Sequence, residues 1–127
     1  MSPSAAQGLG SLEQLVLLAV MRLGADAYAV SVRDEIERRT SRSISRGAVY
    51  VTLDRLERKA YLRSELGGAT PERGGKAKRL FLLEADGLAA LRESLADLRG
   101  MASGLDVALA RGTGDLLARD LVGAGTA

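Results

Sequence analysis

The chain has 127 residues, of which 18 are basic and 16 acidic, and its formal net charge is +2. A chain of this length can bury one hydrophobic core but not two. It contains neither Cys nor His, which excludes a disulfide scaffold, metal sites that need either ligand, and catalysis that depends on either side chain.

The small net charge conceals an uneven distribution along the chain. Residues 33–79 carry 13 basic and 7 acidic side chains, a net charge of +6, whereas residues 1–32 and 80–127 carry −1 and −3. A polyanionic partner is therefore expected to dock on the middle third. On charge alone, a chance clustering of solvated surface charges remains an equal alternative.

No segment predicts contact with a membrane. The apolar run 12–23 is interrupted by Glu13, Gln14 and Arg22, and it is shorter than the roughly 20 residues that span a bilayer. The first ten residues lack the basic region that opens a secretory signal. We predict a cytoplasmic protein, and the absence of Cys suits that reducing compartment.

A first helix is predicted from Ser11 to about Leu23. Ser11 and Gln14 form the pattern of a capping box, and Gly24 is a typical residue at a helix end. The helix is apolar on nearly every side, so it is expected to be buried on more than one side. One side covers the core and the other is expected to meet a second subunit, with Leu15 and Leu18 as contacts.

Two more helices are predicted before a hairpin. Asp26 is the expected cap of the second helix, which ends near Arg39, and Ser45 is the expected cap of the third, which ends near Ala60. The third helix has one tight apolar stripe, formed by Val49, Leu53, Leu56 and Ala60. This stripe is expected to face the core.

A long β-hairpin follows the third helix. Residues 61–66 alternate in the manner of a strand, and residues 78–83 read as a second, more apolar strand. Between them, residues 67–76 include four Gly and one Pro and therefore predict a loop.

The last predicted element is a long helix over residues 85–111. Its apolar residues are spaced alternately by three and four positions from Leu88 to Leu109, a heptad pattern typical of helix pairing between subunits. The alternative is an amphipathic helix that lies on its own domain. We predict a DNA-binding domain at 1–84, a dimerisation helix at 85–111 and a flexible tail at 112–127. The expected dimer contacts in this helix are Leu88, Leu91, Leu95, Leu98 and Leu105.

Three helices followed by a hairpin predict a winged helix-turn-helix, so the fold class is α+β and mostly α. In this motif the third helix enters the major groove of double-stranded DNA, with its N-terminal half at the base edges. Because the apolar stripe faces inward, Gly47 and Val51 lie near the centre of the outer face, where they permit close approach to bases and thymine methyl groups. The predicted contacts of this helix are Ser45, Arg46, Gly47, Tyr50, Val51 and Arg55.

The hairpin adds a second group of basic residues. Arg73, Lys76 and Lys78 are expected to contact phosphates or to enter the adjacent minor groove. Each of these side chains alone would be an ordinary surface charge. Together with the third helix they predict a DNA-binding surface.

The segment Ser45–Glu57, which has a Ser, a Gly, a Tyr and a Leu-x-x-Leu-Glu ending, resembles the recognition helix of the PadR-type transcriptional regulators. Gly75–Leu83 is similar to the wing strand of that family, and Tyr28–Val30 resembles the start of its second helix. The resemblance extends from about Leu9 to about Leu98.

The resemblance implies a homodimeric repressor that binds a palindromic operator and is released by a small effector or another signal. Tyr50 matches a family Tyr that is associated with DNA-backbone contact. Val51 replaces the usual Pro, and Ala60 replaces a Gly before the wing strand. The chain has no Trp, so it departs from members that sandwich flat drugs between aromatic rings.

Two other classes of function fit the sequence less well. A winged-helix module that binds a protein instead of DNA would keep the fold, but the basic hairpin argues against it. An enzyme is not predicted, because the carboxylates lie on helix surfaces and the paired glycines of the loop lack the Gly-Lys-Ser/Thr ending of a phosphate loop. No cofactor and no metal are predicted.

Overall fold

The computed structural model describes residues 8–67 and 77–111. The chain divides into two compact units between Ser94 and Leu95. The helices are α1 (Ser11–Leu23), α2 (Ala29–Arg39), α3 (Arg46–Arg58), α4 (Ala85–Ala102) and α5 (Asp106–Ala110), and the strands are β1 (Leu62–Leu66) and β2 (Arg79–Leu83). A short 3₁₀ turn, Gly24–Asp26, separates α1 from α2. The predicted α+β class and the order of three helices and a hairpin are confirmed.

The first helix begins with a different cap from the predicted one. Gly10 is the cap residue, and its backbone N–H donates to the Glu13 carboxylate at 2.9 Å. The predicted pairing of Ser11 with Gln14 is therefore wrong by one position. The predicted end is confirmed, because Gly24 follows α1 with a φ of +56°, a conformation that favours glycine.

The predicted cap of the second helix is also wrong. Asp26 belongs to the 3₁₀ turn, and α2 begins three residues later with Tyr28 as its cap residue. The Ser31 hydroxyl accepts the backbone N–H of Tyr28 at 3.0 Å and lies within hydrogen-bond distance of the Asp26 carbonyl. A side chain inside the helix, and not Asp26, thus accepts the N–H of the cap residue.

The core of the first unit lies between α1, α2, α3 and the hairpin. Of the predicted stripe on α3, Val49, Leu53 and Leu56 are buried. The hairpin is antiparallel and pairs Leu62 with Leu83 at one end and Leu66 with Arg79 at the other. The largest side chains that are almost fully buried are Phe81, Leu17, Leu53, Leu56, Leu62 and Leu91.

The end of α3 explains why the family pattern has Gly at position 60, where this chain has Ala. The helix stops at Arg58, and Ala60 is exposed with a φ of +64°, so the prediction that Ala60 continues the buried stripe is wrong. The N–H of Ala60 donates to the Glu57 carbonyl and the N–H of Tyr61 donates to the Leu56 carbonyl, both at 2.9 Å. These two bonds form a Schellman motif, which favours Gly at the position that Ala60 occupies.

Ala60→Gly is expected to raise the free energy of unfolding by about 1 kcal/mol, because the left-handed conformation strains alanine and not glycine. Urea denaturation measures this change. Ala89→Gly, at an exposed position inside α4, is the matched control and should lower the same free energy by about 1 kcal/mol. A destabilised Ala60→Gly variant would contradict the prediction.

A buried ion pair joins the start of α1 to the end of α3. The Lys59 ammonium donates to the Glu13 carboxylate at 2.8 Å, and both side chains are largely shielded from solvent. Burial alone would raise the pKa of Glu13, but the hydrogen bonds from Lys59 and from the Gly10 backbone lower it below its ordinary value of 4.5. The ionised form of Glu13 is therefore favoured by folding.

Because the pKa of Glu13 is lower in the folded chain, the stability that Glu13 contributes is complete well above pH 4.5. It is lost as the pH falls below that value through the folded pKa, since the unfolded chain then binds the extra proton. Glu13→Gln is expected to lower the unfolding free energy at pH 7 by about 1–2 kcal/mol and to flatten its decline in acid. Urea denaturation between pH 7 and pH 3 tests both effects, and identical slopes in the two proteins would contradict them.

The C-terminal helix is shorter than predicted. It ends at Ala102, Gly104 has a φ of +83°, and the separate helix α5 begins at Asp106. The prediction of one helix over 85–111 is wrong beyond Ala102. The predicted tail, residues 112–127, lies outside the described residues. Residues 68–76 of the predicted loop also lie outside them.

The start of α4 requires a small residue. A Cβ added at Gly87 would lie 2.3 Å from the Tyr61 carbonyl oxygen, and the Glu84 N–H donates to the same oxygen at 3.0 Å. Gly87 thus allows α4 to start directly against the hairpin. Within residues 8–67 and 77–111, no helix has the length and apolar character needed to cross a membrane.

Candidate nucleic-acid interface

The outer side of α3 is open, as predicted. Tyr50 is 47% exposed and Val51 is 52% exposed, and Arg46 and Gly47 are also exposed. A Cβ added at Gly47 would have no atom within 4 Å. We call Arg46, Gly47, Tyr50 and Val51 the α3 face.

The first turn of α3 presents free hydrogen-bond donors. Across the described residues, no hydrogen bond or ion pair engages the Arg46 side chain. The Ser45 hydroxyl accepts the Ala48 N–H at 3.1 Å, and its own proton remains available for donation. The backbone N–H groups that open a helix have no partner inside the helix. Such a terminus attracts anions.

The basic residues farther along α3 differ in their surroundings. Arg55 is exposed, and its positive charge helps to lower the pKa of Glu13. The Arg58 side chain donates to the Asp54 carbonyl at 3.4 Å. Both lie toward the C-terminal end of the helix, beyond the α3 face.

Of the three predicted basic contacts in the hairpin, the structure describes Lys78. Its ammonium lies 3.5 Å from the centroid of the Tyr28 ring, close enough for a cation–π interaction. The contact holds Lys78 beside the start of α2. Arg73 and Lys76 lie outside the described residues.

The sequence prediction missed a cluster that joins the hairpin to α3. The Arg79 guanidinium donates to Asp54 at 2.9 Å, to Ser64 at 3.2 Å and to Glu57. Glu57 also accepts the Ser64 hydroxyl at 2.7 Å and the Ser64 N–H at 3.1 Å. The hydrogen bonds from Ser64 and Arg79 outweigh partial burial and lower the pKa of Glu57. We call Arg79, Asp54, Glu57 and Ser64 the hairpin clamp.

The predicted dimer contacts of the first unit fall into two groups. Leu15, Leu18 and Leu88 are half-buried, and the first two line a shallow groove of about 160 Å³ between α1 and α2. Leu91 is only 2% exposed. It belongs to the core of the single chain, contrary to the prediction that it meets a partner.

The predicted dimer contacts of the second unit are more open. Leu98 is 55% exposed, and Leu95 and Leu105 are half-buried. Leu95 and Leu98 lie on α4, whereas Leu105 is the cap residue of α5. Only the part of the predicted heptad seam up to Ala102 therefore lies on α4.

A model of the PadR-like family of transcriptional regulators matches residues 17–93, more than half of the chain. The chain belongs to the PadR-like family. As a PadR-like protein it is a winged-helix transcriptional regulator, and this class consists of DNA-binding proteins and not of enzymes. The matched range contains α3, the hairpin and the clamp, and it ends before Leu95.

Solved structures share the fold of this PadR-like protein. A PadR family regulator from Clostridium difficile R20291 is 18% identical with a TM-score of 0.65, covering 79% of this chain and 99% of that chain. One from Eggerthella lenta DSM 2243 is 24% identical with a TM-score of 0.59, covering 80% and 88%. A PadR-like factor from Bacteroides fragilis is 21% identical with a TM-score of 0.60, covering 75% and 86%. No curated protein sequence matches the chain.

Proposed function

We propose that this PadR-like protein is a cytoplasmic repressor that binds a palindromic DNA operator as a homodimer. The observation that carries the proposal is the Arg46 side chain, which no group among the described residues pairs with, beside the exposed Gly47 and Val51 at the start of α3. If this side of α3 packed against the core, these three residues would be buried. Their exposure at the N-terminal half of the third helix suits the major-groove docking of a helix-turn-helix.

The residues of the α3 face and their neighbours on the helix have distinct roles in this proposal. Arg46 donates to the O6 and N7 atoms of a guanine or to a phosphate, and Val51 contacts a thymine methyl group. Gly47 lets the helix backbone approach the base edges. Tyr50, Ser45 and Arg55 donate to phosphates, which fix register without reading sequence. The hairpin contributes phosphate contacts from Arg73, Lys76 and Lys78.

Dimerisation supplies the symmetry of the proposed operator. Two copies related by a twofold axis place two α3 helices on two half-sites, which makes a palindromic site the natural target. We assign the contact to half-buried or exposed leucines on α1, α4 and the start of α5: Leu15, Leu18, Leu88, Leu95, Leu98 and Leu105. A small effector that alters this contact would release the operator.

The proposal is tested by selecting bound duplexes from random DNA with the full chain and sequencing them. We expect a palindromic consensus, and an affinity for it whose logarithm falls steeply and linearly with the logarithm of salt concentration, as phosphate contact requires. Absence of any enriched duplex, or binding that does not respond to salt, would refute DNA recognition by this chain. An enriched site without symmetry would refute the palindromic operator.

A further inference from the structure

The hairpin clamp connects two parts of the proposed DNA-binding surface that are separate in the chain. Arg79 opens β2, whereas Asp54 and Glu57 lie on α3. One guanidinium reaches both carboxylates and also the Ser64 hydroxyl on β1. Arginine suits this task because its planar group has five donors in a fixed arrangement, while the single ammonium of lysine has no such geometry.

The clamp also places two acidic groups beside the α3 face. Asp54 follows Val51 by three positions, so the two residues are neighbours on the helix surface, and the Asp54 side chain is 47% exposed. A carboxylate close to a DNA backbone repels phosphates over about 10 Å at 0.1 M salt. If the only effect of these acids were their charge, removing either of them would strengthen DNA binding.

We propose that Arg79 is a positioning residue, which through Asp54 and Glu57 holds the hairpin against α3 and so sets the shape of the surface that meets DNA. This inference rests on the proposed function, because it concerns the same surface. On this view the acidic groups favour DNA binding, since they anchor Arg79. Arg79 itself is occupied by the clamp and does not bind a phosphate.

A second ion pair provides the matched control. Arg63 on β1 lies 3.2 Å from Glu84, which follows β2, and both side chains are partly exposed. This pair has the same charges as Arg79 and Glu57, but neither of its members lies on α3. Its loss therefore changes the charge near the hairpin without releasing α3.

The experiment compares Glu57→Met, Asp54→Ala and Arg79→Met with Arg63→Met and Glu84→Met. Affinity is measured by fluorescence anisotropy for a duplex selected by the wild-type chain and for a scrambled duplex of equal length. We expect each clamp variant to lose about tenfold in affinity for the selected duplex, with less loss for the scrambled one. Each control should stay within about twofold.

Two further results separate positioning from direct contact. Glu57→Met combined with Arg79→Met should bind no more weakly than Arg79→Met alone, because both changes open the same clamp. The salt slope of Arg79→Met should equal that of Arg63→Met, whereas loss of a phosphate contact would reduce it by about 0.9. Circular dichroism tests whether each variant is folded. If Glu57→Met is unfolded, Asp54→Ala provides the test of the clamp, because the Asp54 side chain is half-exposed.

Unchanged or tighter binding by folded Glu57→Met or Asp54→Ala would overturn the clamp, and so would the reduced salt slope. These outcomes leave the proposed function intact, since the wild-type chain still selects its duplex. Failure of the wild-type chain to bind any duplex would instead overturn the proposed function.

Discussion

Gly47→Leu is expected to weaken specific DNA binding strongly while it stabilises the folded chain. Gly47 lies inside the first turn of α3, and a Cβ added there meets no atom within 4 Å. The Cβ of the new side chain therefore meets no clash with the described residues. Because glycine is a poor helix former, leucine should raise the unfolding free energy by about 0.5–1 kcal/mol.

DNA binding should respond in the opposite direction. A recognition helix brings its outer face to the base edges, and a leucine side chain at the centre of that face holds the helix away from them. Several base contacts are lost together at about 1–3 kcal/mol each, so the affinity for the selected duplex should fall at least about 100-fold. Fluorescence anisotropy measures the affinity, and thermal unfolding measures the stability.

Gly100→Leu is the matched control, because Gly100 is also an exposed helical glycine with no atom within 4 Å of an added Cβ. It lies on α4, outside the proposed DNA contacts. It should gain stability and keep its affinity. Tight binding by Gly47→Leu would show that the outer side of α3 does not meet the bases.

The helices were predictable because a 3.6-residue period reports which side is buried. Val49, Leu53 and Leu56 are spaced for one inward stripe, and all three are buried. Helix starts were less predictable, since several polar side chains within a few residues of each start can accept a backbone N–H there. Glu13 and Ser31 accept the N–H groups of the two cap residues, whereas Ser11 and Asp26 were the predicted caps.

The heptad pattern over α4 identified apolar positions but not the path of the backbone. The spacing of leucines continues to Leu109, yet the backbone turns at Gly104, where φ is +83°. The same limit applies at Ala60, whose apolar side chain suits the stripe although the helix has already ended. Glycine near a helix end was the available signal at position 104.

The α3 face was predictable, whereas the hairpin clamp was not. The outer side of a helix follows from its inner side, so Gly47 and Val51 could be placed from the stripe alone. Arg79 meets Asp54 and Glu57 across 25 and 22 positions of the chain. Residue spacing along one helix or strand does not predict a contact between residues so far apart in the chain. The Leu-x-x-Leu-Glu ending that resembles the family pattern includes Glu57 but does not indicate that Arg79 is its partner.

Leu98→Asp is expected to convert the proposed dimer into monomers without unfolding the chain. Leu98 is 55% exposed in the single chain, so the fold of the single chain depends little on this side chain. At a dimer contact, however, the substitution removes a buried leucine worth about 1.5–3 kcal/mol and adds a desolvated charge in each subunit. The dissociation constant of the dimer should rise at least about 100-fold, as measured by sedimentation velocity.

Two variants on the same helix make this result specific. Ala96→Asp adds the same charge at an exposed position off the predicted seam and should remain dimeric. Leu91→Asp should unfold the chain instead, because Leu91 is 2% exposed and belongs to the core. Since a monomer holds only one half-site, Leu98→Asp should also lose about 100-fold or more in affinity for the palindromic duplex. A dimer that survives both Leu98→Asp and Leu95→Asp would show that neither leucine lies at the subunit contact.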